Sequence, residues 1–264
     1  MSSAIDVNDV TVAYPQAHSD RALIALWRLD LHIEAGEFVT VVGPSGCGKT
    51  TLLNCIAGLV RPVEGTVSVD GEVVSGPGPD RAVVFQDYAL LPWRTVWGNI
   101  HFALEGRGQR TADPEATIRD AIDLVGLQGF ERAYPRELSG GMRQRVGLAR
   151  ALVADPKILL MDEPFAAVDA MTREVMQGEL ERIVADAGTT ALLITHSIDE
   201  AILLGDRVVV ATTRPGRIKE ILDIELERPR WRYDVKAAGA FIRARERVWE
   251  LLQSEAAEHA RTAS

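Results

Sequence analysis

Residues 38–50 read FVTVVGPSGCGKT, an apolar run that passes into a glycine-rich loop closed by a lysine and a threonine. Residues 43–50 match the pattern GxxxxGK[ST], and Leu52, Leu53 and Ile56 follow at helical spacing. Such a loop between a strand and a helix points successive backbone N–H groups inward, and the helix N-terminus adds positive potential. The stretch therefore predicts a phosphate site within a strand, loop and helix unit.

Two side chains of this loop have specific predicted roles. Lys49 would reach the β- and γ-phosphates of a nucleotide, and the Thr50 hydroxyl would bind Mg²⁺. A glycine-rich turn without a ligand is the alternative interpretation. The strand and the helix on either side of the loop weigh against that alternative.

A second apolar run, residues 158–161, ends in the carboxylates Asp162 and Glu163. Beside a phosphate loop, Asp162 is expected to hold Mg²⁺ through water, and Glu163 to act as the general base that polarises the attacking water. Adjacent strand residues point to opposite sides, which suits different roles for two neighbours. A solvated strand end, or a cap for the next helix, is the alternative.

The positions of Gln86 and His196 in the sequence make them candidate site residues. Each follows an apolar run, as do Gly43 and Asp162, and open α/β sheets bind ligands at the carboxyl ends of their strands. If these strands are neighbours, all four residues meet in one crevice. Gln86 is then a candidate ligand of Mg²⁺ or of the attacking water, and His196 a candidate donor to the γ-phosphate. Taken alone, each is more typical of a surface glutamine and of a packed or capping histidine.

Residues 138–142, LSGGM, predict a second anion site at the start of a helix. Ser139 is placed to cap that helix, while Gly140 and Gly141 expose backbone N–H groups. A helical insertion separates this site from residues 43–50, so one nucleotide is not expected to touch both within one chain.

The charge balance argues against a nucleic-acid partner. The 264 residues carry 29 lysines and arginines against 38 aspartates and glutamates, which gives a net charge of −9. A duplex-binding surface would normally be basic. With 47% hydrophobic and 25% charged residues, the chain has the composition of a folded globular protein.

The sequence predicts neither a membrane span nor a disulfide framework. No apolar run approaches the roughly 18 residues of a spanning helix. Cys47 and Cys55, without CxxC spacing, give no disulfide or zinc pattern, so a cytosolic, reducing location is the default expectation.

The order of the patterns predicts an α/β fold with a mixed sheet. The first seventy or so residues are β-rich, with a hairpin signal at Asp70-Gly71, and helix spacing dominates residues 87–155. Uninterrupted apolar runs then return at residues 158–161, 191–195 and 208–211. Such strands alternating with helices indicate a parallel sheet that is covered on both faces.

Together, these motifs resemble the ATP-binding subunits of ABC transporters, and the resemblance covers nearly the whole chain. The matching features are Walker A at residues 43–50, the Q-loop at Gln86, the signature at residues 138–142, Walker B at residues 158–162 with Glu163, the D-loop around Asp169 and the switch His196. The family fold is a P-loop NTPase core with a RecA-like mixed sheet, an N-terminal antiparallel β subdomain and a helical insertion.

The resemblance implies a division of the chain and a set of ligands. Residues 1–86 and 156–228 would form the ATP-binding core with its β subdomain, residues 87–155 the helical subdomain, and residues 229–264 a C-terminal helix and tail. ATP and Mg²⁺ are the implied cofactors. Glu163, His196 and Gln86 would be catalytic, and Thr50, Gln86 and Asp162 would hold the metal.

The resemblance adds nucleotide-binding residues to those that the motifs predict. Tyr14 occupies the place of the aromatic side chain that stacks on adenine in this family. In these proteins the signature of one copy closes on the nucleotide held by another, in a head-to-tail pair. The remaining implied nucleotide-binding residues are Gly43, Pro44, Ser45, Gly46, Cys47, Gly48, Lys49, Thr50, Thr51, Ser139, Gly140, Gly141 and Asp169.

Some stretches are similar to one branch of the family, the importers of nitrate, taurine and other sulfonates. The most telling is LLPW at residues 90–93, followed by RPGR at residues 214–217. The branch implies a subunit that powers import of a small anion, peripheral to the cytoplasmic face of the inner membrane. Its implied partners are a second copy, transmembrane permease subunits and, indirectly, an extracytoplasmic substrate-binding protein. An ABC-type ATPase in a soluble process and an exporter motor are the alternatives.

The C-terminal region contains arginines whose role the sequence leaves open. They either contact a partner or lipid headgroups, or lie as solvated side chains around a docking helix predicted over residues 235–252. Residues 255–264 are expected to form a solvated tail. The arginines in question are Arg228, Arg230, Arg232, Arg243, Arg245 and Arg247.

Overall fold

The computed structural model describes residues 2–16, 19–105, 113–230 and 234–262. Within these ranges, no helix combines the length and the apolar character that spanning a membrane requires. The strands are β1 Ile5–Gln16, β2 Ser19–Ile33, β3 Phe38–Val42, β4 Glu64–Val69, β5 Glu72–Val73, β6 Arg81–Val84, β7 Ile158–Asp162, β8 Thr190–Ile194, β9 Arg207–Ala211 and β10 Ile218–Asp223. The helices are α1 Lys49–Ala57, α2 Val96–Glu105, α3 Pro114–Leu124, α4 Gly140–Leu152, α5 Ala170–Ala187, α6 Ile198–Leu204 and α7 Gly239–Thr262.

The central sheet has six strands in the order β10-β9-β3-β8-β7-β6. All neighbouring pairs from β9 to β6 are parallel, and β10 pairs antiparallel to β9 at the edge. The strands β3, β7 and β8 are buried along their whole length, as their uninterrupted apolar sequences predict. The mixed α/β sheet expected from the sequence is therefore confirmed.

Both faces of this sheet are covered. Leu160 and Leu192 pack on one side with α1 and the four-stranded antiparallel sheet β2-β1-β4-β5. Leu159 and Leu193, one residue earlier or later in their strands, pack on the other side against α5. This alternation fixes which strand residues reach each face, and it leaves the strand ends free to carry loops.

The hairpin predicted at Asp70-Gly71 is present between β4 and β5. Both turn residues have positive φ, 50° at Asp70 and 80° at Gly71, as a two-residue turn of type I′ requires. Val69 pairs with Glu72 across it. The antiparallel β subdomain implied by the family resemblance is thus seen as a separate sheet.

Helices α2, α3 and α4 form the insertion between β6 and β7. They share a core of their own that includes Ile100, Ile118, Ile122 and Val146, of which Ile118 and Ile122 lie one helical turn apart on α3. The core is distinct from the clusters on either side of the central sheet. The exact division of the chain at residues 86, 155 and 228 stays a prediction.

Three expectations about local structure were wrong. Apolar alternation in the sequence predicts a strand over residues 29–33 and a polar loop over residues 15–20, but strand β2 begins at Ser19. Its long pairing with β1 supplies backbone hydrogen bonds that the sequence pattern does not indicate. Edge strand β10 was missed, since its residues are only half-buried and show no apolar run. Helix α7 continues to Thr262 through the expected tail, and Glu255 within it is buried.

Two of the C-terminal arginines, Arg228 and Arg230, fit neither of the two interpretations that the sequence left open. Arg228 contacts Glu181 and Asp206, and Arg230 is 2% exposed with its guanidinium donating to backbone carbonyl groups. These bonds attach the segment after β10 to the core. Arg245 and Arg247 pair with Asp199 and Glu220, Arg243 is exposed, and Arg232 lies outside the described residues.

Candidate active site

The loop between β3 and α1 has the backbone of an anion cradle. Gly46 and Gly48 have φ values of 75° and 98°, which side-chain-bearing residues rarely adopt. A Cβ atom at Gly48 would also lie 2.7 Å from the carbonyl oxygen of Ala25. Gly48 is the N-cap of α1, and no side chain in the described structure caps that helix. The first-turn N–H groups of α1 therefore suit a phosphate group.

Lys49 spans this loop from the first turn of α1. Its Nζ atom donates to the carbonyl oxygens of Gly43 and Pro44 at 2.8 and 2.9 Å, and the residue is 7% exposed. These bonds hold the ammonium group inside the curve of the loop. A buried cation beside free helix N–H groups is an arrangement that binds polyphosphate.

Thr50 and Asp162 form the part of the site that suits a divalent cation. The Thr50 hydroxyl donates to Asp162 Oδ2 at 2.7 Å, and Asp162 is 3% exposed. The other carboxylate oxygen, Oδ1, is buried and has no hydrogen-bond partner within the described structure. Burial raises the pKa of the Asp162 carboxyl, although the bond from Thr50 opposes that shift. A carboxylate with an unsatisfied oxygen beside a hydroxyl fits Mg²⁺, which prefers oxygen ligands.

Glu163 and His196 lie at the ends of neighbouring strands. His196 Nε2 is 2.6 Å from Glu163 Oε1, and the glutamate side chain is 17% exposed. Glu163 has a φ of 50°, in the left-handed region. Its N–H donates to Ile194 O at 2.9 Å and its carbonyl accepts from Gln144 Nε2 at 2.6 Å. Since both sides of this residue are held, the unusual backbone directs the carboxylate away from the strand.

One cavity of about 320 Å³ brings most of the predicted residues together. Gln86, exposed after β6, reaches it from one side, and Tyr14 of β1 from the other, with its hydroxyl 3.4 Å from Thr51 Oγ1. The carboxyl ends of the neighbouring strands β6, β7, β8 and β3 lie around this cavity. Of the four residues expected to meet there, Gln86 and His196 line it, Asp162 is outside the lining but bonded to Thr50, and Gly43 is outside the lining. Its lining consists of Tyr14, Leu23, Ala25, Ser45, Gly46, Gly48, Lys49, Thr50, Thr51, Gln86, Glu163, His196 and Arg214.

Other predicted residues lie outside this lining. Gly43, Pro44 and Cys47 belong to the loop, and Cys47 is buried, which raises the pKa of its thiol. Asp169 caps α5 by accepting from Thr172 N at 3.1 Å, and the bonds from Thr172 lower the pKa of its carboxyl. The nucleotide-binding role of these residues stays a prediction.

The residues of the second anion site are also absent from the cavity lining. Ser139 caps α4, as predicted, by accepting from Met142 N at 3.2 Å. Gly141 packs so closely that a Cβ atom there would be 2.9 Å from the carbonyl oxygen of Ala167. The start of α4 is therefore a separate part of the surface, consistent with the expectation that a single chain cannot bring both anion sites to one nucleotide.

Helix α4 holds two of the active-site loops. Gln144 donates to Glu163 O and accepts from Ala167 N at 2.9 Å, so it fixes the turn after β7. Arg150 donates to the carbonyl oxygens of Tyr88 and Ala89 in the loop after Gln86. The insertion thereby contacts both the Q-loop and the turn that carries Glu163.

Sequence reasoning missed Leu23, Ala25 and Arg214 as lining residues, and Gln144 as a support. Leu23 and Ala25 lie on a part of β2 for which the sequence pattern predicts no element. Arg214 follows β9, the neighbour of β3, so the strand-end rule that found His196 would also have found it.

Comparisons with known proteins agree with this geometry. A family model described as ABC transporter matches residues 26–166. An uncharacterized ABC transporter ATP-binding protein of Methanocaldococcus jannaschii is 53% identical over 231 residues, covering 88% of this chain and 85% of that protein.

Two cyanobacterial relatives carry names that include a transported substrate. The nitrate import ATP-binding protein NrtC of Synechococcus elongatus is 47% identical over 88% of this chain. The bicarbonate transport ATP-binding protein CmpC of the same species is 43% identical over 97% of this chain. The chain spans only 36% of NrtC and 39% of CmpC.

Among solved structures, the chain is similar to a dimeric post-hydrolysis state of the ATP-binding cassette MJ0796 bound to ADP and Pi. The TM-score is 0.77 at 29% sequence identity, and the match covers 84% of this chain and 100% of that one. A second dimeric structure of the same bacterial cassette gives the same TM-score.

Proposed function

Since this chain belongs to the ABC transporter family, as an ATP-binding subunit that hydrolyses ATP, we propose that it powers import of a small anion through separate transmembrane subunits. The hydrolysis part of the proposal is carried by Lys49, Glu163 and His196 in one cavity, with Asp162 bonded to Thr50. Such a site supplies phosphate binding, a metal position and a base together. The transport part is supported by the names of the relatives.

The chemistry assigned to the site begins with the triphosphate. Lys49 and the N–H groups of the loop bind the phosphates, and Tyr14 packs against the base. Mg²⁺, held by Thr50 and Asp162 with Gln86, would neutralise charge on the β- and γ-phosphate oxygens. Side chains of this chain carry out the proton transfer and position the attacking water.

Glu163 is assigned the general base. Its carboxylate accepts a proton from the water that attacks the γ-phosphorus atom, while the bond from that phosphorus to the bridging oxygen breaks and ADP leaves. His196 Nε2 lies 2.6 Å from that carboxylate. As charge builds on the γ-phosphate, His196 donates its hydrogen bond to the phosphate instead of to Glu163. Gln86, which also lines the cavity, positions the water.

A second copy of the chain completes the site in this proposal. The free N–H groups at the start of α4, with Ser139, bind the γ-phosphate held by the other copy. A head-to-tail pair related by two-fold symmetry then encloses two ATP molecules. ATP bound across the interface stabilises the closed pair, and hydrolysis removes that preference.

The proposed transported substrate is a small anion, and nitrate is the first candidate. The named relatives import nitrate or transport bicarbonate, while taurine and other sulfonates rest on the LLPW and RPGR stretches. The chain would lie at the cytoplasmic face of the membrane, bound to permease subunits that receive substrate from an extracytoplasmic binding protein. No nucleic acid enters this scheme.

Reconstitution tests the transport proposal. The chain is co-expressed with the membrane subunits encoded beside it, purified as a complex and placed in proteoliposomes with the cognate binding protein. We expect ATP hydrolysis to rise when nitrate is added, and the Glu163→Gln complex to show no such rise. A chain that hydrolyses ATP but recovers no membrane subunit would support the soluble alternative, and substrate movement in the opposite direction would support an exporter.

A further inference from the structure

The loop after β9 reaches the nucleotide cavity from the side opposite to His196. Arg214 in this loop lines the cavity, and its Nε and Nη2 atoms donate to the carbonyl oxygen of Gly46 at 3.1 and 2.9 Å. Gly46 is one of the two glycines of positive φ in the phosphate loop. Arg214 is therefore bonded directly to the loop that is proposed to hold the phosphates.

This bond constrains a phosphate donor. In a trans peptide, the carbonyl group and the following N–H group point in opposite directions. Holding the Gly46 carbonyl therefore fixes the direction of the Cys47 N–H, one of the groups that the loop offers to an anion. The guanidinium group also adds positive charge at the rim of a cavity that contains Lys49.

The Arg214 loop is itself attached on one side to β2. Gly216 N donates to Ala25 O at 2.9 Å, and Trp27 N donates to Gly216 O at 3.0 Å. Ala25 also lines the cavity. This attachment leaves Thr213, on the other side of Arg214, to be fixed by another element.

The C-terminal helix α7 supplies that second attachment. Glu255, 5% exposed, accepts from Thr213 N at 2.6 Å and from Thr213 Oγ1 at 2.8 Å. Its other oxygen accepts from Lys219 Nζ of β10 at 3.0 Å. Burial raises the pKa of Glu255, but the bonds from Thr213 and Lys219 outweigh it and leave the pKa below its ordinary value. The Glu255 carboxylate therefore connects α7 to the loop that carries Arg214.

We infer that Arg214 is a positioning residue for ATP, and that helix α7 sets the place of Arg214 through the Glu255–Thr213 bonds. The inference rests on the proposed nucleotide site. It gives the C-terminal helix a role in nucleotide binding. Glu255 bonds to Thr213, Thr213 precedes Arg214 in the chain, and Arg214 bonds to Gly46. Because the proposed mechanism assigns the attacking water to Glu163 and Gln86, these residues act on ATP binding rather than on the chemical step.

Steady-state kinetics of the purified chain test the inference through the split between KM for ATP and kcat. For Arg214→Gln, we expect KM to rise by about 5- to 10-fold, the effect of losing a charge-assisted hydrogen bond at a partly exposed site, with kcat within about 2-fold. For Glu255→Ala, the expected rise in KM is smaller, about 2- to 5-fold. Adding Glu255→Ala to Arg214→Gln should give no further rise.

A matched control distinguishes the effect of the Glu255–Thr213 bonds from the effect of weakening any contact of α7. Arg247→Gln removes the ion pair with Glu220 between α7 and β10, the same two elements that Glu255 and Lys219 join. We expect KM of this variant to equal that of the wild type. If Glu255→Ala does not fold, Thr213→Val, which removes only the hydroxyl bond, takes its place.

The results that would overturn the inference are specific. An unchanged KM in Arg214→Gln, an Arg247→Gln effect as large as that of Glu255→Ala, or full additivity in the double variant each contradict it. Lys49→Ala tests the underlying site separately, since it should abolish ATP binding. Retained binding in Lys49→Ala would refute the proposed site itself, whereas lost binding together with a silent Arg214→Gln refutes only the inference.

Discussion

Glu163 has both an unusual backbone conformation and the central role in the proposed chemistry. Its positive φ is held by Ile194 and Gln144, and its carboxylate lies beside His196. Strain that the surroundings maintain at one side chain is common where that side chain has a function. The geometry therefore favours Glu163 as the base over the neighbouring Asp162, whose carboxylate is committed to Thr50.

Glu163→Gln tests this assignment. The amide keeps the shape and the bond to His196 but cannot accept the proton, so we expect hydrolysis in a single turnover to slow by about 100-fold or more. ATP binding should be retained, because Lys49 and the loop are untouched. Glu115→Gln, at an exposed position on α3, is the control. Rapid single-turnover hydrolysis by Glu163→Gln would exclude the assigned base.

Glu200 gives a pH-dependent prediction at the same scale. It is 6% exposed, accepts from Gln177 Nε2 at 2.8 Å, and lies near Arg173 of α5 and Glu163. Burial raises the pKa of its carboxyl above the ordinary value of 4.5, although Thr195, Gln177 and Arg173 oppose the shift. The folded protein thus keeps a proton that the unfolded chain releases, so this group's contribution to stability falls as pH rises through the raised pKa.

Urea unfolding of the wild type and Glu200→Gln measures that contribution. Because the glutamine does not titrate, the variant should gain stability relative to the wild type as the pH rises from the ordinary pKa of 4.5 through the raised pKa of Glu200. A difference in unfolding free energy that stays constant over this interval would show that Glu200 has the same pKa in both states.

At the residue scale, the sequence predicts the groups that motifs specify and misses those that only tertiary contacts reveal. Lys49, Thr50, Asp162 and His196 lie where their strand-end positions place them. Gln144 was not found, because its bonds to Glu163 and Ala167 join positions about twenty residues apart with no pattern in common.

Among the elements, the C-terminal segment departs furthest from expectation. The arginine content of residues 228–247 was taken as a solvated face or a partner contact. Instead, Arg230 is buried and donates to Ile202 O and Gly205 O at the end of α6. A guanidinium group satisfies several carbonyl groups at once, so it closes that helix end in a way that an apolar side chain would not.

Arg230→Ala should therefore destabilise the protein strongly. Removal of the guanidinium leaves buried carbonyl groups unpaired and a void, and we expect the free energy of unfolding to fall by about 3 kcal/mol. Arg243→Ala, on the exposed surface of α7, should change it by less than about 0.5 kcal/mol. Equal midpoints for the two variants in urea unfolding would contradict the structural role of Arg230.

The elements that sequence predicted best are those with uninterrupted apolar runs. Strands β3, β7 and β8 are buried on both faces, so composition alone marks them. Strand β10 and the first half of β2 lie at the edges of their sheets. Their hydrogen bonds to the neighbouring strands stabilise them, and the apolar core contributes less. Helix α7 extends past its predicted end because Glu255 finds buried partners.

For the whole molecule, the fold class follows from the order of motifs, and the family comparisons agree with it. From the helical insertion between the two motifs, the sequence predicts that the second anion site is separate from the cavity. In the structure, Ser139 and Gly141 lie outside the nucleotide cavity, and this separation supports a site completed by two copies. The charge balance, acidic over the chain as a whole, has little bearing on a nucleotide held by backbone N–H groups and Lys49.

The central claim is that ATP bound at the loop of one copy is enclosed by the α4 start of another. Sedimentation velocity of Glu163→Gln with Mg·ATP, alone and combined with Ser139→Phe, tests this claim most directly. We predict an ATP-dependent dimer for Glu163→Gln, and a monomer with unchanged ATP affinity when Ser139→Phe is added. A double variant that dimerises to the same extent as Glu163→Gln would contradict the claim.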